Sequence, residues 1–213
     1  MFRWFALAIL LCAVGTSGYF RWRARVEGGT IARRAEGGAF VAIRAVVALP
    51  LLAAILTYLI NPRWMEWSAF DAPGWLRWSG VVLGVFTIPL VFWVLRSIGR
   101  NISETVLTKS NHELVTVGPY RWIRHPLYTT GLTLLLAVGL MAANVLMLCL
   151  TLLVAVLIGS VVIPREEAEL RRRFGDRYER YMAQTGRLLP KGRGYVEARR
   201  PSSARERLDS TGG

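Results

Sequence analysis

Apolar and charged residues alternate in blocks along this chain, and that segregation narrows the possible folds more than any other feature. Five apolar stretches are long enough, or nearly so, to cross a bilayer of ~30 Å as helices of roughly 20 residues. They run from about Trp4 to Phe20, from Phe40 to Ile60 and from Gly74 to Leu95, and then as one block from Leu127 to Ile163 that is long enough for two crossings. Ala142-Ala143-Asn144 is where that block is expected to reverse, leaving almost no external loop. Charged residues make up only 19% of the chain and lie mostly between the apolar runs. That excludes an ordinary soluble domain and, outside the C-terminus, a disordered chain. The expected fold is an all-α integral membrane protein of about five transmembrane helices, the last two a tight helical hairpin, followed by a cytoplasmic amphipathic helix.

The formal charge of +13 raises the question of a nucleic-acid partner, and its distribution answers it. Arg21, Arg23, Arg25, Arg33 and Arg34 follow the first span; Arg96, Arg100, Lys109, Arg121 and Arg124 follow the third; thirteen more basic residues lie between Arg165 and Arg207. The connection between the second and third spans has only Arg63 against Glu66 and Asp71, and the hairpin turn has no charge. Every basic segment therefore falls on one side of a five-span arrangement, the side that the positive-inside rule makes cytoplasmic. The charge reads as topology, with no nucleic acid, the N-terminus outside and the C-terminus inside. Met1 to Gly18 has the outline of a signal peptide, but cleavage there would send the arginines of residues 21–25 across the membrane, so an uncleaved span is expected. Trp64, Trp67, Trp75 and Trp78 flank the outer connection as interfacial anchors, and Gly80 and Gly84 have the spacing of a helix-packing face. Cys12 and Cys149 sit inside apolar runs and offer neither a disulfide framework nor metal-ligand spacing.

Chemistry is expected in the polar stretch from Ser97 to His125, which holds both histidines. Leu114, Val115 and Val117 suggest a short extended piece and Gly118-Pro119 a turn, after which Pro126 fits the first turn of a helix with His125 near its N-cap. Arg124, His125 and unbonded backbone N–H groups at such a helix start form an anion-binding geometry. Beyond the last span, Pro164 is expected to open a new helix with Glu166, Glu167 and Glu169 in its first turn, either capping the helix dipole or binding a cation. Leu170, Phe174, Tyr178, Tyr181 and Met182 recur at helical spacing behind them, an amphipathic face lying on the membrane or on other cytoplasmic segments. An anion site and a cation site side by side make a zwitterion receptor, with Tyr120, Trp122 and Tyr128 able to border a cation by their ring faces. S-adenosylmethionine carries the matching carboxylate, ammonium and sulfonium. No Gly-rich dinucleotide fingerprint is present.

Gly118-Pro119-Tyr120 through Arg124-His125-Pro126-Leu127-Tyr128, the apolar hairpin, Glu166-Glu167 and Phe174-Gly175-Asp176-Arg177-Tyr178-Glu179-Arg180-Tyr181 together resemble the isoprenylcysteine carboxyl methyltransferase family. The likeness covers about Asn111 to Pro190, within a superfamily of membrane methyltransferases that also includes phospholipid N-methyltransferases. It implies a cytoplasmic S-adenosylmethionine pocket closed over by the C-terminal segment and a lipophilic acceptor, small or lipid-modified, entering from the bilayer. By motif position, His112, Glu113, Leu114, Val115, Tyr120, His125, Pro126, Leu127 and Tyr128 would line the cofactor pocket, together with Glu166 and Glu167. Glu166 falls where the family has a required carboxylate. Eukaryotic members carry an arginine where Val162 stands here, with Arg165 the nearest substitute, so the resemblance makes Arg165 and Glu166 the catalytic candidates. A cofactor-contacting glutamine of the family is replaced near Thr105.

The implied organisation is a three-span region over residues 1–96, a methyltransferase core over 97–190 and a basic tail over 191–213 without fixed structure. The implied reaction is in-line methyl transfer, most simply carboxyl O-methylation of an isoprenylcysteine-type acceptor. A lipid N-methyltransferase would use the same cofactor site. A non-catalytic membrane subunit or a transporter is the rival of a different class, and apart from Arg44 near one end the spans carry no charge at mid-membrane to support transport. A bacterial chain of this kind would sit in the plasma or inner membrane.

Overall fold

The computed structural model describes residues 1–28, 38–99, 114–192 and 194–196. Seven α-helices account for most of it: α1 (Phe2–Gly28), α2 (Gly38–Ile60), α3 (Gly74–Ile98), α4 (Pro126–Ala142), α5 (Val145–Leu157), α6 (Ile163–Phe174) and α7 (Asp176–Gln184). Tight 3-10 turns occupy Pro62–Ser68 and Gly118–Arg121, and strand pairing is confined to two isolated bridges among the described residues. The side chain of Arg44 lies outside the described residues.

The protein is an all-α integral membrane protein. Phe2–Val26, Gly74–Ile98 and the continuous stretch Val145–Phe174 are long and apolar enough to cross a membrane, while the apolar helices Ala45–Ile60 and Pro126–Ala142 are shorter. Length and apolarity alone thus carry three crossings of the expected five. In lipid there is little hydrophobic drive for helices to associate, so close backbone approach matters more. Gly80 and Gly84 provide it. A Cβ at Gly80 would stand 2.8 Å from the Ala137 carbonyl oxygen and 2.9 Å from the Met141 nitrogen, and one at Gly84 would meet Ile9 Cδ1 at 2.9 Å. Helix α3 is thereby seated on α4 and α1, its most extensive neighbours.

Between α4 and α5 the chain reverses at Ala143 and Asn144, as the sequence suggests. Ala143 takes the left-handed conformation (φ 51°, ψ 50°), and Asn144 caps α5 by accepting a 3.0 Å hydrogen bond from the Met147 N–H. The Asn144 amide also donates to the Met65 carbonyl (3.1 Å) and Ser68 Oγ (2.7 Å), and the Phe70 N–H donates to the Ala143 carbonyl (2.9 Å). The connection between α2 and α3 is therefore docked onto the hairpin turn. Its tryptophans Trp64, Trp67, Trp75 and Trp78 remain exposed, as interfacial residues would be.

Pro164 does not open a new helix. Helix α5 runs through one wide π turn (Ile158–Val162) directly into α6, and Val162 before it is itself helical (φ −71°, ψ −56°). Proline lacks an N–H and its ring crowds the carbonyl four residues earlier; a widened turn just ahead makes room for it. Glu166, Glu167 and Glu169 consequently lie inside a continuous helix, and capping of a free helix end does not explain them. The amphipathic segment is present as two helices hinged at Gly175 (φ 50°, ψ −131°), a conformation that favours glycine. Its apolar face packs on protein: Tyr178 and Tyr181 are buried with Leu114 and Tyr195, and Leu170, Phe174 and Met182 lie against them.

Candidate functional site

The site begins at Gly118. Its φ of +61° suits glycine, and a Cβ there would collide with Ser97 Oγ at the end of α3. The 3-10 turn that follows buries Tyr120, whose carbonyl accepts a 2.6 Å hydrogen bond from the Tyr181 hydroxyl of α7. His125 is then the N-cap of α4, with Pro126 at the first helical position as the sequence suggests.

A C-terminal segment lies against this helix start. The Gly186 N–H donates to the Trp122 carbonyl (3.0 Å), the Arg124 N–H to the Gly186 carbonyl (2.8 Å) and the His125 N–H to the Arg187 carbonyl (3.1 Å). A short parallel bridge joins Ile123 and Gly186. Gly186 has no room for a side chain, because a Cβ would run into the Leu189 carbonyl. The Thr129 hydroxyl donates to the Leu188 carbonyl (2.7 Å), and further on the Tyr195 N–H donates to the Arg121 carbonyl (2.7 Å). Packed chain thus extends past residue 191 at least to Val196, and residues 197–213 lie outside the described residues.

Two carboxylates from α6 meet these segments. Glu166 Oε2 lies 3.3 Å from His125 Nδ1, and Glu166 Oε1 accepts a 3.2 Å hydrogen bond from the Tyr128 hydroxyl. Glu167 Oε1 is paired with Arg124 Nε at 2.9 Å and Oε2 with Arg187 Nη2 at 3.0 Å. His125 Nε2 stands 3.4 Å from Glu167 Oε1, a charge contact rather than an aligned hydrogen bond. Arg124 Nη1 also donates to the Met182 (3.1 Å) and Thr185 carbonyls. The two glutamates differ in exposure, with side chains 23% and 2% accessible for Glu166 and Glu167 respectively. Two arginines neutralise the buried carboxylate, whereas Glu166 faces partly outward with neutral and imidazole partners.

These surroundings set the protonation states. Burial disfavours a charged imidazole at His125, but the close Glu166 and Glu167 carboxylates outweigh it and raise its pKa above the ordinary value. Burial also pushes up the Tyr120 hydroxyl, helped by neighbouring Tyr181, Glu166 and Tyr128, so it stays protonated. The Tyr178 hydroxyl is buried with no hydrogen-bond partner among the described residues.

Of the residues singled out in the sequence, Tyr120, His125, Pro126, Leu127, Tyr128, Glu166 and Glu167 lie around one helix start. Leu114 is buried instead in the aromatic cluster with Tyr178, Tyr181 and Tyr195, and Val115 is partly exposed beside it. Arg165 lies on the exposed side of α6. His112 and Glu113 fall outside the described residues. The resemblance implies a C-terminal segment closing over the site, but sequence reasoning did not single out Arg187 within it. Residues 185–196 have no periodicity, and the only hint is a lone arginine after the amphipathic run.

Residues 80–172 match the model of the Isoprenylcysteine carboxyl methyltransferase (ICMT) family. The uncharacterized protein YpbQ of Bacillus subtilis is 27% identical over 124 residues, covering 58% of this chain and 67% of its own length. The cobalt-zinc-cadmium resistance protein CzcN of Cupriavidus metallidurans is 28% identical over 121 residues, covering 55% of this chain and 56% of its own. A solved structure of the eukaryotic intramembrane Ras methyltransferase ICMT is similar with a TM-score of 0.51 at 24% identity, over 79% of this chain and 57% of that one. The last likeness is one of fold. The chain spans little more than half the length of CzcN and of the eukaryotic enzyme.

Proposed function

We propose, because residues 80–172 match the model of the isoprenylcysteine carboxyl methyltransferase family, that the chain is a membrane methyltransferase that transfers a methyl group from S-adenosylmethionine to a lipophilic acceptor. The observation that carries this reading is the division of labour at the start of α4. Glu167 is neutralised by arginines, and Glu166 remains a partly accessible carboxylate between Tyr128 and His125.

That donor set suits a zwitterionic sulfonium. Glu166 would face its cationic part, with the Tyr120 and Tyr128 rings as neighbours. The positive end of the α4 dipole would face its carboxylate, although the His125 N–H is taken by the Arg187 carbonyl and Pro126 has none. Leu127 lies at the same helix start, and Leu114 would support the wall through its packing on Tyr178 and Tyr181 of α7; Val115, His112 and Glu113 complete the proposed lining. The sulfonium, when bound, supplies an electrophilic methyl group. The chain's contribution is to hold the two reactants in line and keep water out, and such positioning is worth roughly 7–11 kcal/mol in favourable cases. Arg165, beside Glu166, is proposed to orient an acceptor carboxylate of the isoprenylcysteine type.

One observation favours an amine acceptor as the second reading. Val162 is buried and apolar, and Arg124 and Arg187 both pair with Glu167, which leaves Glu166 or His125 to take a proton from an amine. In either case the chain is proposed to cross the membrane five times, with the N-terminus outside and the site on the cytoplasmic face.

Calorimetry on the detergent-purified protein tests the cofactor assignment. S-adenosylmethionine should bind saturably, and Glu166→Gln and Tyr128→Phe should each weaken it by roughly 10-fold, the scale of one charge-assisted hydrogen bond. A folded wild-type protein that binds none would overturn the reading.

A further inference from the structure

Glu167 is almost wholly buried, and a buried carboxylate is stable only with its partners in place. One oxygen belongs to Arg124, a residue of the same local assembly as α4. The other belongs to Arg187, which comes from the C-terminal segment and is itself 46% accessible. The remaining ties of that segment are neutral. The His125 N–H donates to the Arg187 carbonyl, and Thr129 Oγ1 to the Leu188 carbonyl. Its near end is held separately, by Arg124 on the Met182 and Thr185 carbonyls. The segment is therefore anchored at its start by Arg124 and held across the beginning of α4 by neutral hydrogen bonds through Gly186, Arg187 and Leu188 together with one half-solvated charge pair. Arg187 also lies beyond the family match, which ends at residue 172.

We propose that Arg187 is a positioning residue of the site, fastening residues 185–189 over His125 through Glu167, and that this pair sets the residence time of a bound nucleoside sulfonium. The second half of that statement rests on the methyltransferase reading; the first does not. On that reading a ligand seated against His125 and Glu166 lies under residues 185–189, and its release requires them to lift from His125. Loss of the charge pair should lower the barrier to that opening and speed dissociation, with little effect on association.

Hydrogen exchange and ligand chase on wild type, Arg187→Gln and Arg187→Lys separate the two halves. In Arg187→Gln without ligand, the amides of Arg124, His125 and Gly186 should exchange at least tenfold faster, while those of α5 stay at the wild-type rate and report intact folding. Labelled S-adenosylmethionine chased with unlabelled should leave Arg187→Gln at least tenfold faster, and Arg187→Lys should restore both readouts to within a few fold. Unchanged exchange in Arg187→Gln overturns the fastening role. Faster exchange with unchanged release overturns the role in retention. If wild type with a protected segment binds no S-adenosylmethionine, the methyltransferase reading fails along with retention, and exchange still decides the fastening. Should Arg187→Gln not fold, the salt dependence of wild-type exchange decides instead. Raised salt should speed exchange of the Arg124, His125 and Gly186 amides by screening the half-solvated pair while leaving the α5 amides unchanged, and no salt effect overturns the fastening role.

Discussion

His125 has a carboxylate at each ring nitrogen, 3.3 Å and 3.4 Å away. Its pKa in the folded protein is raised despite burial, so its stabilising contribution is complete below the unfolded value of about 6.5 and is lost as pH rises through the folded value. The thermal midpoint of wild type should therefore exceed that of His125→Gln most at about pH 6, with the gap narrowing toward about pH 9. A gap that does not change with pH would show the ring to be neutral throughout. The sequence makes His125-Pro126 legible as a helix start, because proline at the first helical position has a simple steric reason. It also makes the glutamate pair visible as acidic groups. It does not reveal which is buried, because that depends on Arg124, 43 residues away, and Arg187, 20 residues away.

Among the elements, the hairpin turn was the easiest to foresee. A block of apolar residues too long for one crossing must reverse, and Asn144 is its one good cap. What the sequence withheld was the second use of that side chain. Asn144 is buried, and its amide also ties down the connection from α2 to α3. Asn144→Ala should cost about 2 kcal/mol or more, by losing the cap on the buried Met147 N–H and both amide bonds to the α2–α3 connection. Asn61→Ala, at an exposed cap with a single 3.2 Å bond to the Arg63 N–H, should cost about 1 kcal/mol or less. Denaturant titration in micelles would separate them, and equal effects would refute the docking role. Two other elements depart from their sequence signals. Pro164 carries the usual signal of a helix boundary, but the π turn absorbs it. The break at Gly175 was hidden because Phe174 and Tyr178 keep a spacing of four across it, so the apolar period runs on through the hinge.

For the whole molecule, the alternation of apolar and basic blocks was enough to identify a helical membrane protein. The placement of residues 185–196 was not, because their hydrogen bonds reach back about 60 residues to Trp122, Arg124 and His125 and leave no periodic trace. The proposed orientation has a direct test. With Cys12 and Cys149 replaced by alanine, a membrane-impermeant maleimide should label Trp67→Cys in intact cells and Arg177→Cys only after permeabilisation. Both native residues are exposed. The reverse pattern would invert the topology, and labelling of both or neither before permeabilisation would exclude five crossings.

The Glu167 pairings also have a consequence for how the protein is made. The ribosome delivers Arg124 first, then the hairpin and Glu167, and Arg187 only after α7. Every membrane span can be inserted while one oxygen of that carboxylate still lacks its counter-charge. The site is then completed by the emergence of a single late side chain, so a nascent chain released before residue 187 would be fully inserted and yet inert.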